Sequence, residues 1–388
     1  MDSGRTISRL SAARLVLFAP NLHGGGAERV LARLATHWAG QGRNVTLVTL
    51  DVASPNDFSL PRSVRRLGLG LTVDSTGPVS ALRNNLNRVR AVRRAFRDAR
   101  PEVVISIIDQ TNVLALLAAR PLNVPVVVAE HTDPAAHPLS PVWQRLRRWT
   151  YRRCAALVVL TDRAADLLRP IVRGRPVVVI PNGIGPPTIE AVRRNDGEER
   201  TLVGLGRLSR EKGFDRLIAA FGQVAERHPQ WRLLIHGDGP ARDELQTLVV
   251  ERGLAGRVML PGRTDSPEAA LAAADLFALP SRYEGFPMSL LEAMAAGLPA
   301  VAFDGISGVR QILRDRIDGL LVPDGDVAAF ATALGELMSD GAGRRQMGGQ
   351  ARAVVDRFGL DAFFARWDAV LEAAVRGDFS QVFVGHGE

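Results

Sequence analysis

The chain has 388 residues, of which 46% are hydrophobic, and a net charge of +8 at pH 7. This length suggests two domains of similar size, and the composition is typical of a folded α/β protein and not of a disordered one. The single cysteine, Cys154, excludes a disulfide framework and any cysteine-based metal site.

The charge is divided unevenly along the chain. Residues 1–185 carry 26 arginines against 12 acidic residues, whereas residues 186–388 carry 23 basic and 29 acidic residues. A basic half suggests an anionic partner, which could be nucleic acid, anionic lipid or a phosphorylated acceptor. The sequence contains no recognised nucleic-acid-binding module, so nucleic acid is not an expected partner.

Neither membrane insertion nor secretion is predicted. No apolar stretch reaches about 18 residues, so no transmembrane helix is expected. The short apolar segment 15–20 lacks the length and cleavage pattern of a secretory signal. Together with the single cysteine, these features predict a cytoplasmic protein.

The first half of the chain alternates short apolar segments with amphipathic ones. The apolar segments are rich in Val, Ile and Leu and end at turn residues, which predicts buried strands at 15–19, 45–50, 103–107, 126–129, 157–160 and 177–180. Helical periodicity lies between them, for example over 27–39 and 86–97. This alternation predicts a parallel sheet covered by helices on both faces.

Three glycines, Gly24, Gly25 and Gly26, separate the first predicted strand from the first predicted helix. Glycine allows a phosphate to approach the backbone closely at a helix N-terminus. The pattern begins like a dinucleotide-binding fingerprint, and Asp51 ends the second strand as a ribose-binding acid would. However, Arg29 occupies the position of the last fingerprint glycine, so NAD(P) is not an expected ligand.

Chain-breaking residues cluster at 181–187, and a polar segment follows at 193–200. We therefore predict one domain over 1–185 and a second over 186–359. Strand patterns restart at 201–205, 232–235, 258–260, 276–279, 299–302 and 319–322. The predicted fold is two doubly wound Rossmann-like domains facing across a cleft, with ligands at the carboxyl ends of the strands. A helical pattern at 360–376 is expected to pack back on the first domain, and 377–388 to form a tail.

Lys212 is the only lysine beside 48 arginines, and it lies just after the strand predicted at 201–205. Lysine is a compact point charge on a flexible stem, whereas arginine is a rigid planar fork. A site that needs a small ammonium against a phosphate oxygen does not accept arginine freely. The pattern favours a diphosphate contact at Lys212, and the alternative is the chance survival of one lysine.

Two glutamates flank the start of a helix predicted after the strand at 276–279. Glu284 precedes the Gly-Phe-Pro turn that opens the helix, and Glu292 is expected about two turns along it. The free N–H groups at such a helix start can hold an anion or a sugar hydroxyl. In isolation, Glu284 could equally favour the helix dipole, and Glu292 could be a surface residue.

The segment 280–299 resembles the donor-site motif of retaining glycosyltransferases of the GT-B fold, specifically glycosyltransferase family 4. The resemblance covers nearly the whole chain and rests on motifs that occur in the order of the family. They lie at 24–29, Glu130-His131, Pro181-Asn182-Gly183, 206–213, 237–240 and 284–299.

The resemblance implies a role for each matching residue. Arg207 and Lys212 are expected to bind the donor diphosphate and to stabilise the charge on the departing nucleotide. Glu292 is expected to hold the ribose hydroxyls, and Glu284 the hydroxyls of the transferred sugar. The remaining expected donor-site residues act largely through their backbone: Gly24, Gly25, Gly26, Gly262, Arg263, Gly285, Phe286, Pro287, Met288 and Ser289. Pro287 has no N–H to donate.

His131 is by default a hydrogen-bonded loop residue, but the resemblance places it beside the reacting sugar as a catalytic residue with Glu284, Arg207 and Lys212. No carboxylate is an obvious nucleophile. The expected mechanism is a front-face substitution in which the leaving phosphate takes the acceptor proton.

The loop around Ser307-Gly308 departs from the family pattern. Relatives often have Pro before Ser307-Gly308 and an acidic residue at the position of Gln311, so the supporting role of that acidic residue is lost or altered in this chain.

The sequence also lacks a metal-binding pattern. It has no Asp-any-Asp motif and its seven histidines are scattered. The resemblance therefore implies no metal and no cofactor besides the nucleotide-sugar substrate.

Two arginine-rich segments are candidate membrane surfaces. Residues 82–100 hold seven arginines, and residues 143–153 hold five together with Trp143, Trp149 and Tyr151. Arginine with interfacial aromatics on a helix is typical of in-plane contact with anionic lipid. The alternative is a solvated basic face with partly buried aromatics. The membrane interpretation predicts a peripheral location on the inner membrane.

These observations predict a glycosyltransferase that moves a sugar from a nucleotide diphosphate, UDP-sugar rather than GDP-mannose, to a lipid-linked or cell-envelope glycan acceptor with retention of configuration. The alternatives are a GT-B nucleotide-sugar epimerase and a non-catalytic nucleotide-sugar-binding protein.

Overall fold

A computed structural model describes residues 13–55, 57–72, 77–136, 139–190 and 199–382. The chain forms two compact units, residues 1–181 with 361–388 and residues 182–360. The division falls four residues before the predicted boundary. Within the predicted polar segment 193–200, residues 193–198 lie outside the described residues, as do 383–388 of the predicted tail.

The first unit contains a parallel sheet of seven strands in the order β3-β2-β1-β4-β5-β6-β7. The strands are β1 (Arg14–Ala19), β2 (Asn44–Thr49), β3 (Arg65–Gly68), β4 (Val103–Ile107), β5 (Val126–Glu130), β6 (Ala156–Val159) and β7 (Val177–Val179). The helices that follow them are α1 (Gly26–Gly40), α2 (Pro78–Ala99), α3 (Asp109–Ala119), α4 (Pro141–Thr150) and α5 (Asp162–Val172). Strand β3 was not predicted, because this edge strand is only partly buried and has no apolar run.

The second unit contains a parallel sheet of six strands in the order β10-β9-β8-β11-β12-β13. Its strands are β8 (Arg200–Leu205), β9 (Trp231–His236), β10 (Val258–Gly262), β11 (Leu276–Leu279), β12 (Ala300–Phe303) and β13 (Gly319–Val322). Its helices are α6 (Phe214–Val224), α7 (Arg242–Glu251), α8 (Pro267–Ala272), α9 (Met288–Ala295), α10 (Val309–Ile312), α11 (Val327–Ser339), α12 (Gly341–Ala351) and α13 (Val354–Arg357). The two Rossmann-like parallel sheets confirm the predicted fold class.

The C-terminal helix α14 (Leu360–Arg376) packs against α1 of the first unit. Asp368 accepts hydrogen bonds from Trp38 Nε1 at 2.7 Å and from Arg43 Nη1 at 3.1 Å. The fully buried Trp367 meets Trp38 edge-on, with ring centroids 6.5 Å apart. The helix therefore contributes both apolar area and buried hydrogen bonds to this unit.

Each sheet has one point at which the strand order reverses, between β1 and β4 in the first and between β8 and β11 in the second. Doubly wound sheets bind ligands outside the carboxyl ends of the strands at such points. The glycine loop follows β1, the Lys212 loop follows β8, and the Glu284 loop follows β11. The topology thus brings the last two loops to one position.

Candidate active site

Lys212 and Glu284 are 72 residues apart in sequence and in direct contact. Lys212 Nζ donates a hydrogen bond to Glu284 Oε1 at 2.6 Å, and the side chains are 23% and 13% exposed. Ser281 Oγ donates to the same oxygen at 2.8 Å. Since both bonds go to Oε1, the other oxygen, Oε2, is the one that can accept a bond from a sugar hydroxyl.

Glycines let the two loops approach. Gly213 has a φ of +67°, and a side chain on it would collide with the carbonyl of Pro280. The aliphatic stem of Lys212 lies across Gly206, where an added Cβ would be 3.5 Å from its Cδ and Cε. The Lys212 loop therefore packs on the backbone that leads from β11 into the Glu284 loop, which directs the ammonium at the carboxylate.

A second ion pair, which the sequence interpretation missed, joins the same loops. Arg282 donates to both carboxylate oxygens of Asp215, at 2.8 and 2.7 Å, and to the carbonyl of Arg210 at 2.8 Å. Although burial alone would raise it, these hydrogen bonds hold the pKa of Asp215 below its ordinary value. Bidentate pairs of this kind fix orientation as well as distance. Arg282 and Asp215 lie beside the motif residues, but their spacing carries no local signal of pairing.

The helix that carries the second glutamate begins where predicted. Pro287 caps α9, Met288 is its first residue, and the buried Phe286 precedes the cap. Glu292 is the fifth residue of α9, so it lies just over one turn along the helix and not two as predicted. The first N–H groups of α9, including those of Met288 and Ser289, have no partner within the helix.

The breaker cluster that marked the domain boundary supports the α9 loop. Asn182 is 3% exposed, and its amide donates to the carbonyl of Phe286 at 3.3 Å. Gly308 has a φ of +77°, and a side chain there would lie 2.7 Å from the Phe286 ring. The 304–309 loop thus packs against the Gly285-Phe286 turn although it departs from the family pattern.

Other expected donor-site residues lie on neighbouring loops of the same unit. Arg207 is exposed at the end of β8. Gly262 ends β10, and its carbonyl accepts a bond from the N–H of Gly237 at 2.9 Å. Gly237 needs to be glycine, because a side chain would strike the carbonyl of Gly206. Arg263 is exposed beside Gly262.

The packing of the first unit itself also explains the presence of glycine in the loop at 24–26. Gly24 has a φ of +83°, Gly25 caps α1, and Gly26 is the first residue of that helix. The carboxylate of Glu28 folds back against Gly25, where any side chain would collide with it. Burial raises the pKa of the Glu28 carboxyl above its ordinary value. Gly25 therefore makes room for a carboxylate of the protein itself.

Glu130 ends β5 inside a buried polar network. Its Oε1 accepts a hydrogen bond from the Tyr151 hydroxyl at 2.5 Å and lies 2.9 Å from Arg147 Nη2. Asn112 donates to the same hydroxyl at 3.0 Å. Burial raises the pKa of the Glu130 carboxyl, although the Arg147 guanidinium and the Tyr151 hydroxyl counteract it. The network anchors the strand end from which His131 projects.

His131 follows Glu130 directly, and both of its ring nitrogens are buried without a hydrogen-bond partner among the described residues. Burial lowers the pKa of the imidazole to about 4. The ring is therefore neutral at pH 7, with one donor and one acceptor unused. Unpartnered buried polar atoms are costly, and they are frequent where a ligand binds.

The same network corrects the interpretation of the second arginine-rich segment. Arg147 was grouped with surface arginines, but it is 3% exposed because it pairs with Glu130. Tyr151 is fully buried, and Trp143 packs against the core of the first unit. Of the three aromatics, only Trp149 is exposed. For Tyr151 the expectation of an interfacial aromatic was wrong, because its side chain belongs to the core, and the partial burial of Trp143 fits the alternative of a solvated basic face with partly buried aromatics.

Metal ligands and membrane spans were also sought among the described residues. They contain no group of three or more His, Cys, Asp or Glu side chains that could hold a metal ion. No helix in the described ranges is long and apolar enough to span a membrane.

Two family models cover most of the chain. The model for Glycosyltransferase Family 4 matches residues 24–186, and the model for Glycosyl transferases group 1 matches residues 187–354. The two matches meet between residues 186 and 187, close to the division between the compact units.

Known proteins are similar over most of the chain. Phosphatidyl-myo-inositol mannosyltransferase of Mycobacterium leprae is 31% identical over 81% of this chain and 84% of its own length. Exopolysaccharide phosphotransferase SCO2592 of Streptomyces coelicolor is 39% identical over 57% of this chain, but the match spans only 23% of that protein. The crystal structure of HepE from Anabaena with UDP and glucose has the same fold, with a TM-score of 0.76 at 19% identity over 93% of this chain and all of HepE. The chain therefore belongs to glycosyltransferase family 4, with a group 1 glycosyltransferase unit, and is a glycosyltransferase.

Proposed function

We propose that the protein is a retaining glycosyltransferase that moves a sugar from a nucleotide diphosphate to a hydroxyl of a lipid-linked or cell-envelope glycan. The observation that carries this proposal is the contact of Lys212 with Glu284 at the reversal point of the second sheet. A cation and a sugar-binding carboxylate meet there beside the free N–H groups of α9, and a nucleotide sugar needs these groups together.

Each group has one task in the proposed reaction. Lys212 and Arg207 offset the negative charge that develops on the diphosphate as it leaves. Glu284 accepts bonds from hydroxyls of the transferred sugar, and Glu292 accepts them from the ribose. His131, held neutral by burial, accepts or donates one hydrogen bond to the sugar.

The proposed chemistry balances without a covalent enzyme intermediate. The bond from the sugar anomeric carbon to the donor phosphate oxygen breaks, and a bond to the acceptor oxygen forms on the same face. The acceptor proton passes to the leaving phosphate oxygen. This route retains the anomeric configuration and needs no nucleophilic side chain.

We propose UDP-sugar as the donor in preference to GDP-mannose, and HepE with bound UDP and glucose, a structure of the same fold, supports UDP as the first nucleotide to test. Titration calorimetry against UDP, GDP, ADP and NAD tests the donor class. The proposal expects binding of one nucleoside diphosphate that is weakened in Lys212→Ala. Preference for NAD, or binding that is unchanged in Lys212→Ala, would contradict it.

Product analysis separates transfer from the epimerase alternative. With a radiolabelled donor, the proposed enzyme releases nucleotide diphosphate only as fast as label appears in an acceptor. An epimerase converts the donor in the absence of any acceptor. We also propose that transfer is metal-independent, so EDTA is expected to leave its rate unchanged.

The acceptor is proposed to be presented at an anionic membrane, where the protein binds peripherally on the cytoplasmic side. A mannosyltransferase of a lipid acceptor, by its name, is among the similar proteins. The supporting surface is the exposed face of α2. Its first half presents Val79, Leu82 and Leu86, which are 83%, 64% and 47% exposed.

The same α2 face is also cationic, mainly in its second half. The exposed arginines Arg83, Arg90, Arg94 and Arg97 are spaced three to seven residues apart, which keeps them on the face of Val79 and Leu86. Exposed apolar residues joined to arginines on one helix are typical of in-plane binding to anionic lipid.

A further inference from the structure

Exposed arginines gather where three neighbouring strands of the first sheet begin. Strands β5, β6 and β7 are adjacent, and the segments 120–125, 148–155 and 173–176 lead into their amino ends. These segments contain no Asp or Glu and six exposed arginines, namely Arg120, Arg148, Arg152, Arg153, Arg173 and Arg175. Together with Trp149, these arginines are the amino-edge patch.

Contacts around Trp149 join the three segments into one surface. Trp149 is 42% exposed, and the guanidinium groups of Arg153 and Arg120 lie over its ring, 4.6 and 5.8 Å from its centre. Arg153 also donates a hydrogen bond to the Trp149 carbonyl at 3.0 Å. From the third segment, Arg175 donates to the carbonyl of Arg152 at 3.1 Å. The patch is therefore continuous across the amino ends of the three strands.

The positive charge of the patch is not offset by carboxylates. Arg147 is buried against Glu130, whereas none of the six arginines of the patch forms an ion pair with a carboxylate in the described ranges. A helix C-terminus favours a cation in its last turn, which accounts for Arg120, Arg148 and Arg173 at the ends of α3, α4 and α5. The other three arginines and the exposed tryptophan need another explanation.

The side chains of the patch favour a protein partner over a membrane or a nucleic acid. Binding in the plane of a bilayer needs several apolar side chains, as on α2, but Trp149 is the only large apolar residue exposed in the three segments. Single-stranded nucleic acid stacks its bases on open aromatic faces, whereas guanidinium groups lie over the Trp149 ring. Trp and Arg are, in contrast, enriched at the energetic centres of protein interfaces.

We propose that the amino-edge patch docks an acidic segment, rich in Asp and Glu, of a partner protein. The carboxylates of the partner pair with the guanidinium groups in a planar bidentate manner, and Trp149 keeps two of those groups in position. The patch lies at the amino ends of the strands, so a docked partner leaves open the carboxyl end of β5, from which His131 projects. Docking of this kind does not depend on the transfer reaction proposed above.

The test uses fluorescein-labelled poly-L-glutamate as probe, with its binding to the full chain measured by fluorescence anisotropy. Arg152→Gln with Arg153→Gln removes two charges from the patch and is expected to weaken binding at least about tenfold. Trp149→Ala removes no charge, and it is expected to weaken binding at least about fivefold because the guanidinium groups lose their support.

A matched control removes the same charge elsewhere on the first unit. Arg62→Gln with Arg65→Gln replaces two exposed arginines at β3, the opposite side of the sheet, and is expected to change polyglutamate binding by less than about twofold. Co-sedimentation with phosphatidylglycerol vesicles is expected to be the same for the wild type and for the Arg152→Gln, Arg153→Gln variant.

Several results would overturn the docking site. Absence of polyglutamate binding would do so, and equal weakening in the patch and control variants would show general attraction between charges. Unchanged binding in Trp149→Ala would show that Trp149 has no part in it. Loss of vesicle binding without loss of polyglutamate binding in the patch variant would assign the surface to lipid. Tighter binding of a single-stranded DNA of equal charge would assign it to nucleic acid.

Discussion

At the residue scale, the Lys212–Glu284 pair has a consequence for the order of events at the donor site. The ammonium proposed for the diphosphate is already hydrogen-bonded to the carboxylate proposed for the sugar. A nucleotide without its sugar must therefore compete with Glu284 for Lys212. An intact donor offers the carboxylate a hydroxyl in exchange, which favours the donor over the product.

We predict that Glu284→Gln binds the nucleotide diphosphate about fivefold more tightly while losing transfer. Release of the competing carboxylate contributes about 1 kcal/mol, the scale of a partly exposed ion pair. Calorimetry on a double-mutant cycle with Lys212→Ala separates competition from general repulsion. If Glu284→Gln strengthens binding equally when Lys212 is absent, competition for the ammonium is not the cause.

The buried imidazole of His131 predicts a pH effect on stability. Its folded pKa of about 4 is below the ordinary value of about 6.5, so the unfolded chain binds the proton more tightly. The stability that depends on neutral His131 is present above about pH 6.5 and is lost as pH falls through about 4. The loss is at most about 3 kcal/mol.

The measurement compares thermal unfolding of the wild type and His131→Asn between pH 7 and pH 4. The midpoint of the wild type is expected to fall further than that of the variant. Parallel decreases in both proteins would show that His131 titrates in the folded state near its ordinary pKa.

At the scale of elements, the polar contacts of α14 with the first unit include one carboxylate that has several partners. Asp368 accepts hydrogen bonds from the indole of Trp38 and from the guanidinium of Arg43. Burial raises the pKa of Asp368, but the hydrogen bonds from His37, Trp38 and Gln41 outweigh it and lower the pKa. The carboxylate is therefore charged, and its partners would be left unpaired without it.

We predict that Asp368→Ala lowers the stability of the first unit by about 2–4 kcal/mol, because it leaves a buried indole N–H and a guanidinium without partners. Urea unfolding followed by tryptophan fluorescence measures the change. Asp361→Ala, an exposed carboxylate on the same helix, is the control and is expected to cost less than about 1 kcal/mol. Equal costs would show that Asp368 does not anchor the helix.

The exposed face of α2 supports a prediction on membrane binding. Leu82→Gln with Leu86→Gln is expected to reduce co-sedimentation with phosphatidylglycerol vesicles about tenfold or more, since both leucines lose their burial in the interface. Leu167→Gln removes an apolar residue of similar exposure, 45%, on α5 and is the control. Retention of binding in the α2 double variant would favour the solvated-face alternative.

At the scale of the whole molecule, the chain combines a basic first half with an acidic second half. Charge of this kind governs association with anionic partners and does not specify the fold. Vesicle binding by the first unit should therefore weaken as salt rises, because exposed arginines are screened beyond about 10 Å at 0.1 M ionic strength. The nucleotide binding proposed for the second unit would depend on the partly buried Lys212 and should be less sensitive to salt.

A prediction on hydrogen exchange tests the assignment of the donor to the second unit. Nucleotide at about 100 times its Kd stabilises the bound state by about 2.7 kcal/mol. Protection is expected to concentrate in segments 206–213 and 281–292. Protection confined to the glycine loop of the first unit would contradict the donor site proposed here.

Local patterns along the chain were sufficient for the two Rossmann-like units, twelve of the thirteen strands and the two glutamates around the start of α9. Apolar periodicity, turn residues and motif order are properties of neighbouring residues, so they can be read without knowledge of the fold. The position of Glu292 was less accurate, because two helical turns correspond to its separation from Glu284, whereas α9 begins at Met288, only four residues before Glu292.

Contacts between distant segments were decided only by tertiary structure. The pairs Lys212–Glu284 and Arg282–Asp215 form because β8 and β11 are neighbours in the sheet, which no local pattern encodes. The burial of Arg147 depends on Glu130 at the end of another element. Composition could not distinguish that arginine from the exposed ones on α2. Residue type gives the charge, but the packing of distant elements determines whether the charge faces solvent or a buried partner.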